Sequence, residues 1–192
     1  MSRWEEFGLP ENMLGRSFLD VGCWGGEFCT LAKEKKAHSV IGVDLVRSPK
    51  IKEQGWHFYQ MDVFSSQFLM LPQADWVLCA GVFYHVPNPV ELLLRLKALM
   101  HKESVLVLET AYLDDKSFLP VMRFCKGKSN DDNYSNWWLP NLACLGTLFE
   151  ECGFLVKQAL IKEGSGRIVY HLKLHRGKSK KMLPRKEKYM KT

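Results

Sequence analysis

Three carboxylates in this chain of 192 residues stand where short apolar runs end. Asp20 closes Phe18-Leu19 and opens onto Val21-Gly22-Cys23-Trp24-Gly25-Gly26. Asp44 closes Ser39-Val40-Ile41-Gly42-Val43, and Asp62 follows Trp56 to Met61. Acids at the ends of successive buried strands share one rim of an open parallel sheet, where such sheets take nucleotides. The chemistry they offer is hydrogen-bond acceptance. Asp44 lies about twenty residues beyond the loop, the spacing of an acid that accepts from both hydroxyls of a ribose. Asp62, with the backbone of Val63, is placed for the exocyclic amine of an adenine. Gly22, Gly25 and Gly26 let the backbone turn with positive φ and come close to a ligand.

The loop does not suit a pyrophosphate. Counted from Gly22, a G-x-G-x-x-G fingerprint has Trp24 and Glu27 at its second and third glycine positions. The indole would block the phosphates and the carboxylate would repel them. The phosphate-cradling G-x-x-x-x-G-K-[ST] loop is also absent. The expected ligand is a nucleoside whose tail is not a phosphate, with S-adenosylmethionine the leading candidate. The alternative is a strand-to-helix turn with no ligand.

Phe83-Tyr84-His85-Val86-Pro87 follows another apolar run ending in Gly81-Val82. His85 has the intrinsic pKa of a general base; packing against the next helix is the competing role. Tyr84 would shape the pocket. Arg167 opens the last strand and either contacts substrate or cofactor or faces solvent. Glu109, Asp114 and Asp115 have a spacing that metal ligands could use, but no histidine accompanies them and no metal is expected. Tyr112, Tyr134, Trp137 and Trp138 would stack on a flat substrate or seal a lid.

The elements that must position these groups alternate between strand and helix. Strands are expected at Ser17 to Val21, Ser39 to Asp44, Trp56 to Met61, Asp75 to Val82, Ser104 to Thr110, Leu155 to Lys162 and Arg167 to Leu174. Helices are expected at Glu27 to Ala37, Val90 to Met100 and from Pro140 to Gly153, with a short helical or irregular piece opened by Ser48-Pro49. Asn88 and Pro89 are read as the cap and first residue of the second helix. Residues before Arg16 form a short lead-in, and 111–139 an irregular, aromatic insert that would set substrate choice. The fold class is α/β, doubly wound and Rossmann-like. Its sheet is seven-stranded and mostly parallel, and closes with a C-terminal antiparallel hairpin.

An apolar content of 46% and a charged content of 25% are ordinary for a globular domain. No apolar run is long enough to span a bilayer and no signal-peptide pattern opens the chain. Six cysteines without a C-x-x-C pair argue against zinc or a redox pair, and Cys79, Cys144 and Cys152, in apolar-periodic stretches, read as reduced core residues of a cytoplasmic protein. The net charge of +6 belongs to the end of the chain. From Lys173 onward the bases outnumber the single acid, Glu187, by more than that excess. The chain is therefore read as a domain over 1–174 and a basic tail over 175–192. The tail is either a solvated disordered end or an arm for a polyanion such as RNA.

The order of elements resembles class I S-adenosylmethionine-dependent methyltransferases over nearly the whole chain. Several stretches resemble the wobble-uridine tRNA carboxymethyltransferase and its methyltransferase relatives. These are Leu19-Asp20-Val21-Gly22-Cys23-Trp24-Gly25-Gly26, Gly81-Val82-Phe83-Tyr84-His85, Leu106-Val107-Leu108-Glu109-Thr110, Trp138-Leu139-Pro140-Asn141 and Glu151-Cys152-Gly153-Phe154. The resemblance implies that Gly22, Gly26 and Asp44 hold the cofactor with Asp62 and Val63 at the adenine. It also implies that Tyr84 and Arg167 face the reacting end. In the carboxymethyl-transferring enzyme a tyrosine and an arginine at these places grip an extra carboxylate, helped by a lysine from a preceding domain. That domain is absent from the expected organisation here, so ordinary methyl transfer to an O or N atom of a small-molecule or sugar-like acceptor is expected. The alternatives are carboxymethyl or methyl transfer to RNA and a catalytically silent cofactor-binding subunit. The candidate cofactor set is Asp20, Gly22, Cys23, Trp24, Gly26, Asp44, Leu45, Asp62, Val63 and Gly81. The candidate catalytic set is Tyr84, His85 and Arg167.

Overall fold

A computed structural model describes residues 2–52, 55–115, 117–127, 134–162 and 164–175. The strands are β1 (Ser17–Val21), β2 (Ser39–Asp44), β3 (His57–Gln60), β4 (Ala74–Ala80), β5 (Met100–Ala111), β6 (Met122–Phe124), β7 (Trp138–Pro140), β8 (Phe154–Lys162) and β9 (Arg167–Leu174). Among the described residues seven of them form one sheet in the order β3-β2-β1-β4-β5-β9-β8. The pairs from β3 to β5 are parallel, and β9 is antiparallel to both β5 and β8. This is the expected doubly wound sheet with its closing hairpin. Strand order reverses between β1 and β4, so the ends of these two strands open a crevice at a switch point.

Both faces of the sheet are covered, which explains why β1 is apolar on both sides except at Ser17 and Asp20. Helix α2 (Glu27–Glu34) packs Phe28, Cys29 and Ala32 on one face. Helices α3 (Pro89–Ala98) and α4 (Leu142–Glu151) pack Leu92, Leu93, Leu96, Leu145 and Phe149 on the other. Asn88 accepts from the Glu91 N–H with Pro89 next in line, as the sequence predicts. Asn141 caps α4 by accepting from Cys144 N at 2.8 Å, while Pro140 ends β7 rather than opening the helix.

The lead-in is more ordered than composition suggests. Helix α1 (Arg3–Glu6) carries a capping box between Ser2 and Glu5. Trp4 is 1% exposed and packs on Phe18 and Phe28, and its indole N–H donates to Pro10 O at 3.0 Å. Helix α2 stops at Glu34, short of the expected Ala37, because Lys36 takes φ 71° to turn the chain into β2. No helix forms at Ser48-Pro49. In the insert, β6 and β7 pair antiparallel. All six cysteines are free and buried. No helix among the described residues is long and apolar enough to cross a membrane. The basic tail from residue 176 onward lies outside the described residues.

Leu93 is fully buried between α3 and the sheet, so Leu93→Ala is expected to cost about 2–5 kcal/mol in urea denaturation. Met70→Ala, at a side chain 82% exposed, is expected to stay within about 0.5 kcal/mol of the parent.

Candidate functional site

The chain leaves β1 through a turn anchored on β2. Gly22 N and Cys23 N donate to Val43 O at 2.8 and 3.1 Å, and Gly26 N donates to Cys23 O at 2.7 Å. Gly22 lies at φ 80°, and a Cβ there would come within 2.2 Å of Val82 Cγ2. Gly26 lies at φ 76°, and a Cβ there would come within 2.4 Å of Trp56. Gly25 does not take the left-handed conformation expected of it; Trp24 does, at φ 46°, with its indole 61% exposed.

The three strand-end acids do share one rim, but their partners differ. Asp44 accepts from Trp24 N at 2.8 Å and from Val46 N at 3.0 Å, so it fixes the loop and keeps lone pairs for a ligand. Asp62 accepts from Phe64 N at 2.8 Å and holds the turn that carries Val63. Asp20 is buried beneath the loop, with the Cys29 thiol donating to it at 3.7 Å. The neighbouring Cys23, burial and Asp20 all raise the Cys29 pKa and keep that thiol protonated.

Two cavities meet at Gly22, Trp24 and Ala80. One of about 530 Å³ is lined by Asp44, Leu45, Asp62, Val63, Gly81 and His85. The other, about 390 Å³, is lined by Asp20, Cys23, Glu27, Arg3 and Lys50. Both fall in the range of cofactor sites. The first offers acids and apolar walls to a nucleoside. The second balances two acids against two bases, which suits a zwitterionic amino-acid tail. The residues present therefore fit S-adenosylmethionine.

At the far side of Gly81 stands a cluster of Tyr84, Glu109 and Arg167. Arg167 donates to Tyr84 Oη at 2.7 Å and to Glu109 Oε1 at 3.1 Å, and its guanidinium lies 4.7 Å from the Tyr84 ring centroid. Glu109 Oε2 accepts from Gly81 N at 2.8 Å. His85 packs against this cluster, its ring centroid 4.2 Å from that of Tyr84. It lines the nucleoside-side cavity, and its Nδ1 lies 3.0 Å from Ser135 Oγ. Burial, with Arg167 nearby, lowers its pKa below the usual histidine value, so the ring is neutral at pH 7. Asp115 accepts from Ser117 N at 2.9 Å in a local turn.

Glu109, Arg3 and Lys50 were not singled out by sequence for these positions. Glu109 lies near the end of β5, as Asp20 and Asp44 do in β1 and β2, and that placement could have identified it. Arg3 and Lys50 come from the lead-in and an irregular loop, which carry no periodicity to read.

Burial is the largest influence on Asp20 and raises its pKa from 3.8 to about 7; Asp44 and Glu27 add to the rise, while Cys29 and Arg3 oppose it. A carboxyl raised on folding contributes its stability at low pH and loses it as pH climbs through the folded value. Ligand-free protein is thus expected to lose up to about 4 kcal/mol between about pH 4 and pH 7. Asp20→Asn should remove that slope from denaturant midpoints measured across the range.

A family model described as a methyltransferase domain matches residues 2–157. A tRNA U34 carboxymethyltransferase of Cellvibrio japonicus is 32% identical over 166 residues, covering 79% of this chain and 49% of the relative. That of Pseudomonas fluorescens is 28% identical over 172 residues with the same coverage. The chain thus spans about half the length of the curated relatives it matches. Among solved structures, 1,6-didemethyltoxoflavin-N1-methyltransferase of Burkholderia thailandensis, with S-adenosylhomocysteine bound, superposes with a TM-score of 0.64 at 18% identity, covering 90% of this chain and 74% of that one. With the strand order, the glycine turn and the acidic rim, these matches settle the family: the chain belongs to the methyltransferase domain family, as a class I S-adenosyl-L-methionine-dependent methyltransferase.

Proposed function

We propose that this chain transfers a methyl group to an oxygen or nitrogen atom of a small-molecule or sugar-like acceptor held at Tyr84, Glu109 and Arg167. The observation that carries the reading is the position of this cluster. It is tied through Gly81 N to the wall of the nucleoside-side cavity, so an acceptor resting on it faces the cofactor cleft. When bound, the cofactor supplies a sulfonium-activated methyl group. Asp44 orients the ribose, Asp62 and Val63 the adenine edge, and Gly22 permits close backbone approach. Proximity supplies much of the rate. Glu109 accepts the hydrogen bond, and then the proton, of the acceptor hydroxyl or amine. Arg167 and Gly81 N hold its carboxylate in place. Tyr84 Oη accepts from Arg167 and can donate its own hydrogen into the site.

A second reading is carboxymethyl transfer to a tRNA uridine, as the relatives' names state for those proteins. The Tyr84–Arg167 pair favours it, because an arginine fork suits a carboxylate. Glu109 favours the methyl reading, since it already matches the Arg167 charge at 3.1 Å.

S-adenosylhomocysteine at about 100 times its Kd is expected to stabilise the protein by about 2.7 kcal/mol, a Tm rise of about 5–10 °C. Asp44→Ala should weaken binding on the order of 100-fold, the loss of two hydrogen bonds to a charged group. An equal rise in wild type and Asp44→Ala would remove the cofactor assignment from this cleft. Glu109→Gln is expected to lower kcat about 100-fold while leaving the Tm rise in place. Label from the methyl group of S-adenosylmethionine appearing on tRNA but on no small molecule would replace the acceptor class proposed.

A further inference from the structure

Another cavity, of about 510 Å³, lies between the N-terminal helix and the closing hairpin. Phe7, Leu160 and Val169 give it apolar walls, and Arg3, Glu109 and Arg167 stand in its lining. It is not remote from the cleft. Arg3 also lines the tail-side cavity, and Glu109 reaches Gly81 on the nucleoside side. A ligand here would have the Glu109 carboxylate at one end, beside the junction of the cofactor cavities.

We propose that this cavity is the acceptor site and that it takes a small, uncharged, largely apolar molecule bearing a hydroxyl or amine. The inference rests on the methyltransferase reading above. Its size is that of a small-molecule site, and the walls reward removal of apolar surface from water. The charge balance points away from nucleic acid. Arg3 is paired with Glu27 at 2.9 Å and Arg167 with Glu109 at 3.1 Å, and Glu6 also lines the cavity. A phosphate backbone is bound by an excess of lysine and arginine, and this lining has none. Glu109 remains as the acceptor of the ligand's O–H or N–H, so the wall that excludes phosphate is the one that orients the nucleophile.

The probe is 2-naphthol, a flat neutral phenol, titrated by its fluorescence into the full chain carrying S-adenosylhomocysteine. The expected result is saturable one-to-one binding. Leu160→Trp, which fills the cavity, and Phe7→Ala, which strips one wall, should each weaken it about tenfold or more. Calorimetry should find the S-adenosylhomocysteine affinity of both variants within about threefold of the parent, which also reports that they fold. Absence of saturable 2-naphthol binding, affinity unchanged in both variants, or displacement of 2-naphthol by an anticodon stem-loop RNA would overturn the inference. Those results with intact S-adenosylhomocysteine binding remove the acceptor cavity alone; loss of S-adenosylhomocysteine binding by the parent removes the methyltransferase assignment beneath it.

Discussion

The carboxylate of Glu109 joins parts of the molecule that nothing local would bring together. One oxygen accepts from the backbone of Gly81 and the other from the guanidinium of Arg167. The first bond ties the end of β5 to the turn after β4, beside the nucleoside-side cavity. The second ties it to β9, which arrives from the end of the chain and runs antiparallel. Tyr84 completes the arrangement by accepting from the same guanidinium. A charge-assisted pair with one member only 12% exposed is stronger than a surface ion pair, and losing one partner would leave the other poorly solvated. The Tyr84–Glu109–Arg167 cluster thus depends on the hairpin, although none of the hairpin's described residues lines the cavity beside Asp44 and Asp62.

The opposite side of the cleft is built at a cost. Asp20 sits beneath the loop with its carboxyl buried, and Trp24 holds a left-handed backbone that β-carbon-bearing residues adopt reluctantly. Strain and buried charge of this kind gather where a ligand is expected to complete the structure. The ordered core surrounds them. Trp4, Phe18 and Phe28 lock the N-terminal helix over the loop, and that helix brings Arg3 into the linings of the tail-side cavity and of the cavity under the hairpin. A segment that is brief in sequence becomes a shared wall because one tryptophan anchors it.

Much of this was legible in the residues. Asp20, Asp44 and Asp62 stand at strand ends because apolar runs stop there, and the alternation of elements places those ends on one rim. Gly22 and Gly26 read correctly as positions of positive φ. Gly25 did not, since glycine permits a positive φ without requiring it, and here the neighbouring tryptophan takes it. The 111–139 insert carries too little apolar periodicity to reveal the β6–β7 pair, whose three-residue strands are too short to show alternation and are set by their pairing with each other. Tyr84 and His85 are adjacent in the chain and their rings touch, yet their polar partners differ: the short 3₁₀ turn that carries them brings the Tyr84 hydroxyl to Arg167 and the His85 Nδ1 to Ser135.

The sequence by itself determined the doubly wound sheet and the rim of strand-end acids, because each follows from local patterns: strand periodicity and an acid at a strand end. Only the tertiary structure decided what stands across from that rim. The meeting of Glu109 with Arg167 spans 58 positions in the chain, and Arg3 reaches the cleft through the packing of Trp4. Contacts of that kind arise from how elements stack, and no spacing within one element encodes them.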